Sequence, residues 1–152
     1  MTRYAESTEV SSDRSRAEID RTLARYGATS FMYGRSETNA MIVFEMKGRR
    51  VKFVLPLPDR NSKEFTHTPN RGTRRSQSQI EAAYEQAVRQ RWRALALVIK
   101  AKLEAVETGI TEFEDEFMAH IVLPNGQTVG QWMKPQIATA YNNKTMPPLL
   151  AH

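Results

Sequence analysis

Three histidines, a short acidic cluster and a long basic segment are the parts of this sequence with side chains suited to chemistry. His67, His120 and His152 share no metal-ligand spacing. Glu116 and His120 stand four apart, which on a helix places two ligands on one face but leaves a third to come from elsewhere. Glu112, Glu114, Asp115 and Glu116 are the cluster a Mg²⁺-dependent nuclease would use, with His120 beside them. They are also what the solvated face of an amphipathic helix looks like. His67-Thr68 has no second His-x-Thr or His-x-Ser pair to complete a two-histidine phosphoesterase site, and Gly-x-Ser-x-Gly, P-loop and Gly-x-Gly-x-x-Gly motifs are lacking. The reading is therefore of a non-enzyme, with no cofactor, no metal and no catalytic residue assigned.

The basic segment carries more information. Residues 49–102 hold thirteen basic against four acidic side chains, residues 1–48 hold seven of each, and residues 103–152 hold two against six. The net charge of +5 thus hides a centre of +9 and a C-terminal flank of −4. Arginine outnumbers lysine fifteen to seven, and its planar fork suits bidentate phosphate contacts. Such a centre is an electrostatic footprint for a polyanion. Arg50, Lys52, Arg71, Arg74, Arg75, Arg89, Arg93 and Lys100 are the candidate phosphate-neutralising residues, and Trp92 or Tyr33 the candidate base-stacking surfaces. Serving one groove requires that the strand residues, the loop residues 60–75 and the helix residues 89–102 face the same way.

Elements to position these side chains are readable from spacing. The length suits one α+β domain over residues 1–152, with 1–12 polar, without an apolar leader and expected to be disordered. Cysteine is absent, which excludes disulfides and thiolate zinc sites and fits a cytoplasmic location. The longest apolar run, 94–99, is too short to span a membrane. Ser15 and Glu18 have capping-box spacing ahead of Ile19, Leu23 and Tyr26, predicting a helix from Ser15, or a turn earlier from Ser12, to Gly27.

Residues 29–34, 40–46 and 50–55 alternate as strands. Lys47-Gly48 turns between the last two, so a three-stranded antiparallel meander with one buried face is expected. Residues 59–77 are polar and basic, and read as a mobile loop or a hairpin extension that orders on binding. Ser78 and Glu81 then suggest the cap of a helix running to Gly109. Its apolar positions Ile80, Tyr84, Val88, Trp92, Leu95, Ile99, Leu103 and Val106 recur every three or four residues, over roughly 45 Å. That is longer than a three-stranded sheet can cover, so the C-terminal segments or another subunit must cover the rest. A short helix with Ile110, Phe113 and Phe117 inward, a β-hairpin over 120–132 and a last helix from Pro135 to Tyr141 complete the expected order.

The order helix, three antiparallel strands, helix over about residues 15–108 resembles the double-stranded-RNA-binding domains. It is also similar to the core of the Rad52-type single-strand annealing proteins of phages. The former family carries a Lys-Lys-x-Ala-Lys-like start on its last helix, whereas residues 79–83 here read Gln-Ile-Glu-Ala-Ala. The annealing proteins pair a long helix with the sheet, form rings or filaments, and hold the DNA backbone in a basic groove beneath a hairpin. That resemblance implies an oligomeric, non-catalytic protein for single-stranded DNA in phage-type recombination or replication. The choices of DNA or RNA, and of single strand or duplex, stay open. The alternatives are a phage-encoded interaction protein that inhibits a host defence complex and a small metal-dependent nuclease.

Overall fold

The computed structural model describes residues 3–146, with side chains from residue 13 onward. Helix α1 (Arg3–Arg25) leads into strands β1 (Ser30–Arg35), β2 (Asn39–Met46) and β3 (Arg49–Pro56), paired antiparallel in that order. Lys47 and Gly48 both have positive φ (51° and 75°), the backbone of a two-residue hairpin turn that matches strand twist. The short α2 (Lys63–Thr66), the long α3 (Gln77–Glu107), α4 (Phe113–Phe117), a 3₁₀ turn at Met118–His120 and α5 (Val129–Asn143) follow.

The sheet register sorts its side chains onto two faces. Phe31, Phe44 and Val51 form one inner row, and Tyr33, Ile42 and Phe53 the next. All but Tyr33, which stays 38% exposed, meet Ile19 and Leu23 of α1 and Val88, Trp92, Leu95, Ile99 and Leu103 of α3 in one core, closed at one end by Phe113 and Phe117. Phe117 packs edge-on against both Phe44 and Phe53, at centroid separations of 6.0 and 6.2 Å. α1 and α3 lie against each other over this inner side, and among the described residues Met32, Met41 and Val54 of the outer face stay exposed. Ile121 bridges to Val51, and the Val122 N–H donates to the Arg50 carbonyl at 2.8 Å, so residues 121–122 cover the free edge of β3. None of the described helices is long and apolar enough to cross a membrane.

Several expectations change. The helix α1 starts at Arg3, so Ser12 and Ser15 lie inside it and residues 3–12, expected to be disordered, are its first turns. α3 is capped by Ser76 and Gln79 in a reciprocal capping box, two residues ahead of the predicted Ser78 and Glu81 pair. Ile110 is exposed, because Gly109 turns the chain before α4 begins. The C-terminal β-hairpin does not form. Only Val122 and Thr128 bridge, because Thr128 and Gln131 make a second capping box that starts α5 at Val129. Pro135 lies inside that helix instead of opening it, so the Gln131 carbonyl has no i+4 N–H partner there. Residues 147–150 of the proline-containing tail fall outside the described residues.

The 59–77 segment also acquires an anchor. Phe65 is buried and meets Tyr84 of α3 edge-on at 5.7 Å, and His67 bridges to Arg74 in a small hairpin. Arg75 donates to the carbonyls of Glu64 and Phe65 at 3.3 and 3.4 Å, tying the hairpin to α2.

Candidate interaction surfaces

The basic candidates do not converge. Register places Arg50 and Lys52 on the outer sheet face, in rows with Glu45 and Val43, on the opposite side of the sheet from α3. Tyr84 holds the hairpin that carries Arg71 and Arg74. Arg93 stands about half a turn out of phase with Tyr84, so it and Lys100 project from the other flank of α3. The space between sheet and α3 is the hydrophobic core and offers these cations no shared groove.

Intramolecular partners account for many of the cations. Arg50 pairs with Glu45 at 3.3 Å across the strands, and Arg49 with Glu114 at 3.1 Å. Arg60 pairs with Glu81 and lies 4.3 Å over the Tyr84 ring. Arg91 donates to the Pro56 carbonyl at 2.7 Å. Arg89 pairs with Glu85, a buried carboxylate one turn away that was not singled out in the sequence although the i, i+4 spacing was visible there. Arg71, Arg74, Arg93 and Lys100 are exposed and make no ion pair among the described residues.

The two aromatic candidates differ: Trp92 is closed to a base, whereas Tyr33 keeps 38% of its surface exposed but already carries a cation on its ring. Trp92 is 2% exposed, and Tyr33 sits 5.8 Å from it under the Arg16 guanidinium, which lies 4.0 Å over its ring. The helical period that made Trp92 part of the apolar stripe also removes it from solvent.

The acidic cluster and His120 are held in separate local contacts. Glu114 faces Arg49, and Glu116 faces Lys102 at 3.3 Å while the Lys102 ammonium also reaches the Glu116 carbonyl. Among the described residues, no group of three or more His, Asp or Glu side chains is placed to hold a metal ion. His120 stacks on Phe53 with ring centroids 4.0 Å apart. Burial holds its pKa below the usual 6.5 and the Lys102 ammonium adds to this, against a hydrogen bond with the Lys52 backbone that pulls it up. The folded state therefore favours neutral imidazole. This contribution to stability is complete above the unfolded pKa near 6.5 and is lost as pH falls towards the lower folded value. Thermal melts between about pH 7 and 5 should show a larger drop for the parent than for His120→Phe, which keeps the stack without titrating. Equal drops would remove His120 as the cause.

What the fold does leave open is apolar. The outer sheet face shows Met32, Met41 and Val54 at 51%, 39% and 49% exposure, with Val43 enclosed among its neighbours. On α5, Trp132 and Met133 are half-buried, Ile137 and Tyr141 are exposed, and no residue is fully buried. Leu97 and Val98 form a third exposed patch on the outward side of α3. An open groove of about 840 Å³ lies between the β1–β2 turn, residues 57–61 and Tyr84, lined by Arg35, Glu37, Asp59 and Arg60 with no net formal charge. No protein-family model, curated protein or solved structure matches the chain.

Proposed function

We propose that the protein is a non-catalytic interaction protein that works as an oligomer, binding protein surfaces through the outer face of its sheet and through α5. The observation that carries this reading is that α1 and α3 pack on one side of a three-stranded sheet, while the other side exposes methionine and valine among the described residues. Contiguous apolar surface of this kind, bordered by Arg50, Lys52 and Glu45, is the usual mark of a protein-binding face. Light scattering at rising protein concentration should give a mass above the monomer that persists in high salt, because apolar association is not screened. A monomer at every concentration that also captures no partner would sink the reading.

Nucleic-acid binding, with single-stranded DNA the favoured ligand, is the second reading, and Arg71, Arg74, Arg93 and Lys100, exposed and without an ion pair among the described residues, favour it. Within one chain they point in different directions, so this reading needs an assembly in which the α3 flanks of several copies line up. Adding a single-stranded oligonucleotide at low salt should then raise the measured mass. The affinity should fall linearly in log–log form with salt, with a slope of about −0.7 per phosphate neutralised. Arg93→Ala with Lys100→Ala should make the slope shallower by about one unit or more. An unchanged mass with single-stranded and duplex oligonucleotides rules this second reading out.

A further inference from the structure

We infer that the occupant of the open sheet face is α5 of a second copy of this chain, the two copies exchanging helices reciprocally. The inference rests on the interaction reading above and gives it a specific partner.

The composition of α5 is unusual for a helix in water. Across its fifteen residues only Lys134 is charged. Val129, Trp132, Met133, Ile137 and Ala140 recur at helical spacing on one face, with Pro135 on the other. The first turn is held by its own chain: the Val129 N–H donates to the Ile121 carbonyl at 2.9 Å, and Val129 packs against the core. Beyond that turn the apolar face has no cover sufficient to bury any residue. Depletion of charge with retention of Trp, Met and Ile is the composition of an interface core.

The outer sheet face has matching features. Its charged residues, Glu45, Arg50 and Lys52, lie towards one end of the strands. The next row along, Gly34, Met41 and Val54, is uncharged, and Met32 adjoins it at the far side of the row that Lys52 ends. Gly34 keeps its row flat: the Met41 side chain lies over it, and a Cβ there would sit 3.1 Å from Met41 Cε. A helix of fifteen residues is about 22 Å long and 10 Å wide. Eight-residue strands span about 26 Å, and three strands about 10 Å between outer axes, so one helix covers the sheet.

A second copy is favoured because each chain carries one helix to give and one face to receive. Reciprocal exchange then closes as a two-fold dimer with nothing left over. With a footprint of about 220 Å² on each surface, two helix-on-sheet contacts together cover on the order of 900 Å² of projected area, close to the roughly 1,000 Å² a specific interface needs.

The absence of cysteine makes the test direct. Chains carrying Met41→Cys and chains carrying Ile137→Cys are mixed and mildly oxidised, and a double variant is oxidised alone. Both substituted positions are exposed, and circular dichroism checks that each variant folds. The inference expects a covalent dimer from the mixture and an interchain disulfide from the double variant. An intrachain disulfide in a monomer overturns it, because α5 would then close on its own sheet. A dimer that cross-links through Leu97→Cys on α3, and not through the mixed pair, also overturns it while leaving the interaction reading intact. A monomer with no cross-link and no captured partner defeats both.

Discussion

Trp92→Ala is expected to cost about 3–5 kcal/mol of folding stability, the range for removing a large aromatic from a packed core. The indole is nearly inaccessible, and its neighbours Tyr33 and Arg16 form a stacked set between α1, the sheet and α3. Removing it opens a cavity where all three elements meet. In a domain of this size the melting temperature should fall by on the order of 10 °C. Urea unfolding followed by far-UV circular dichroism reads the loss directly. A variant that unfolds like the parent while losing oligonucleotide affinity would mean that Trp92 serves ligand and not core.

The second large effect concerns Arg89, which the sequence offers as a phosphate ligand. In the fold its guanidinium neutralises Glu85, which is 5% exposed. Arg89→Ala leaves a buried carboxylate without its cation. Removing one partner of a fully buried pair costs about 3–5 kcal/mol, and the partial exposure of Arg89 lowers the expected figure to about 2–3 kcal/mol. Adding Glu85→Gln should restore most of the loss, since the second substitution removes the orphaned charge. Oligonucleotide binding, where present, should be unaffected in the stable double variant. Failure of Glu85→Gln to rescue would show that the two side chains act independently.

Much of the fold is legible from local patterns. Alternation over 40–46 and 50–55 gives the buried and open faces of the sheet, because a period of two leaves no other assignment once Ile42, Phe44, Val51 and Phe53 face inward. The periodic apolar stripe gives α3 nearly its full length. The C-terminal segment is misread for an identifiable reason. Val122, Thr128 and Val129 look like strand residues around the Pro124-Asn125-Gly126 turn, yet the Thr128–Gln131 capping box starts a helix three positions after that turn begins to close.

The candidate site is less legible, since it depends on which charges meet. Glu45 opposite Arg50 follows from strand register, but Arg49 with Glu114 and Lys102 with Glu116 depend on long-range packing that no spacing reveals. Phe65, a single aromatic amid basic residues, is enough to seat the loop on Tyr84 and turn its cations away from Arg93 and Lys100. The charge asymmetry of residues 49–102 is real in the sequence, but the fold distributes it over three directions and uses part of it internally. The exposed apolar side chains of the outer sheet face and of α5 are, in contrast, visible only once the described residues are seen packed.

The most direct test of the central claim is the solution mass of the parent chain beside Met41→Lys and Val54→Lys. Both substitutions place a charge on the open sheet face without touching the core. The interaction account predicts a dimer or larger assembly for the parent and monomers for both variants, with unchanged circular dichroism and a melting temperature that no longer rises with protein concentration. A parent that stays monomeric and captures no partner, or variants that assemble as the parent does, would contradict it.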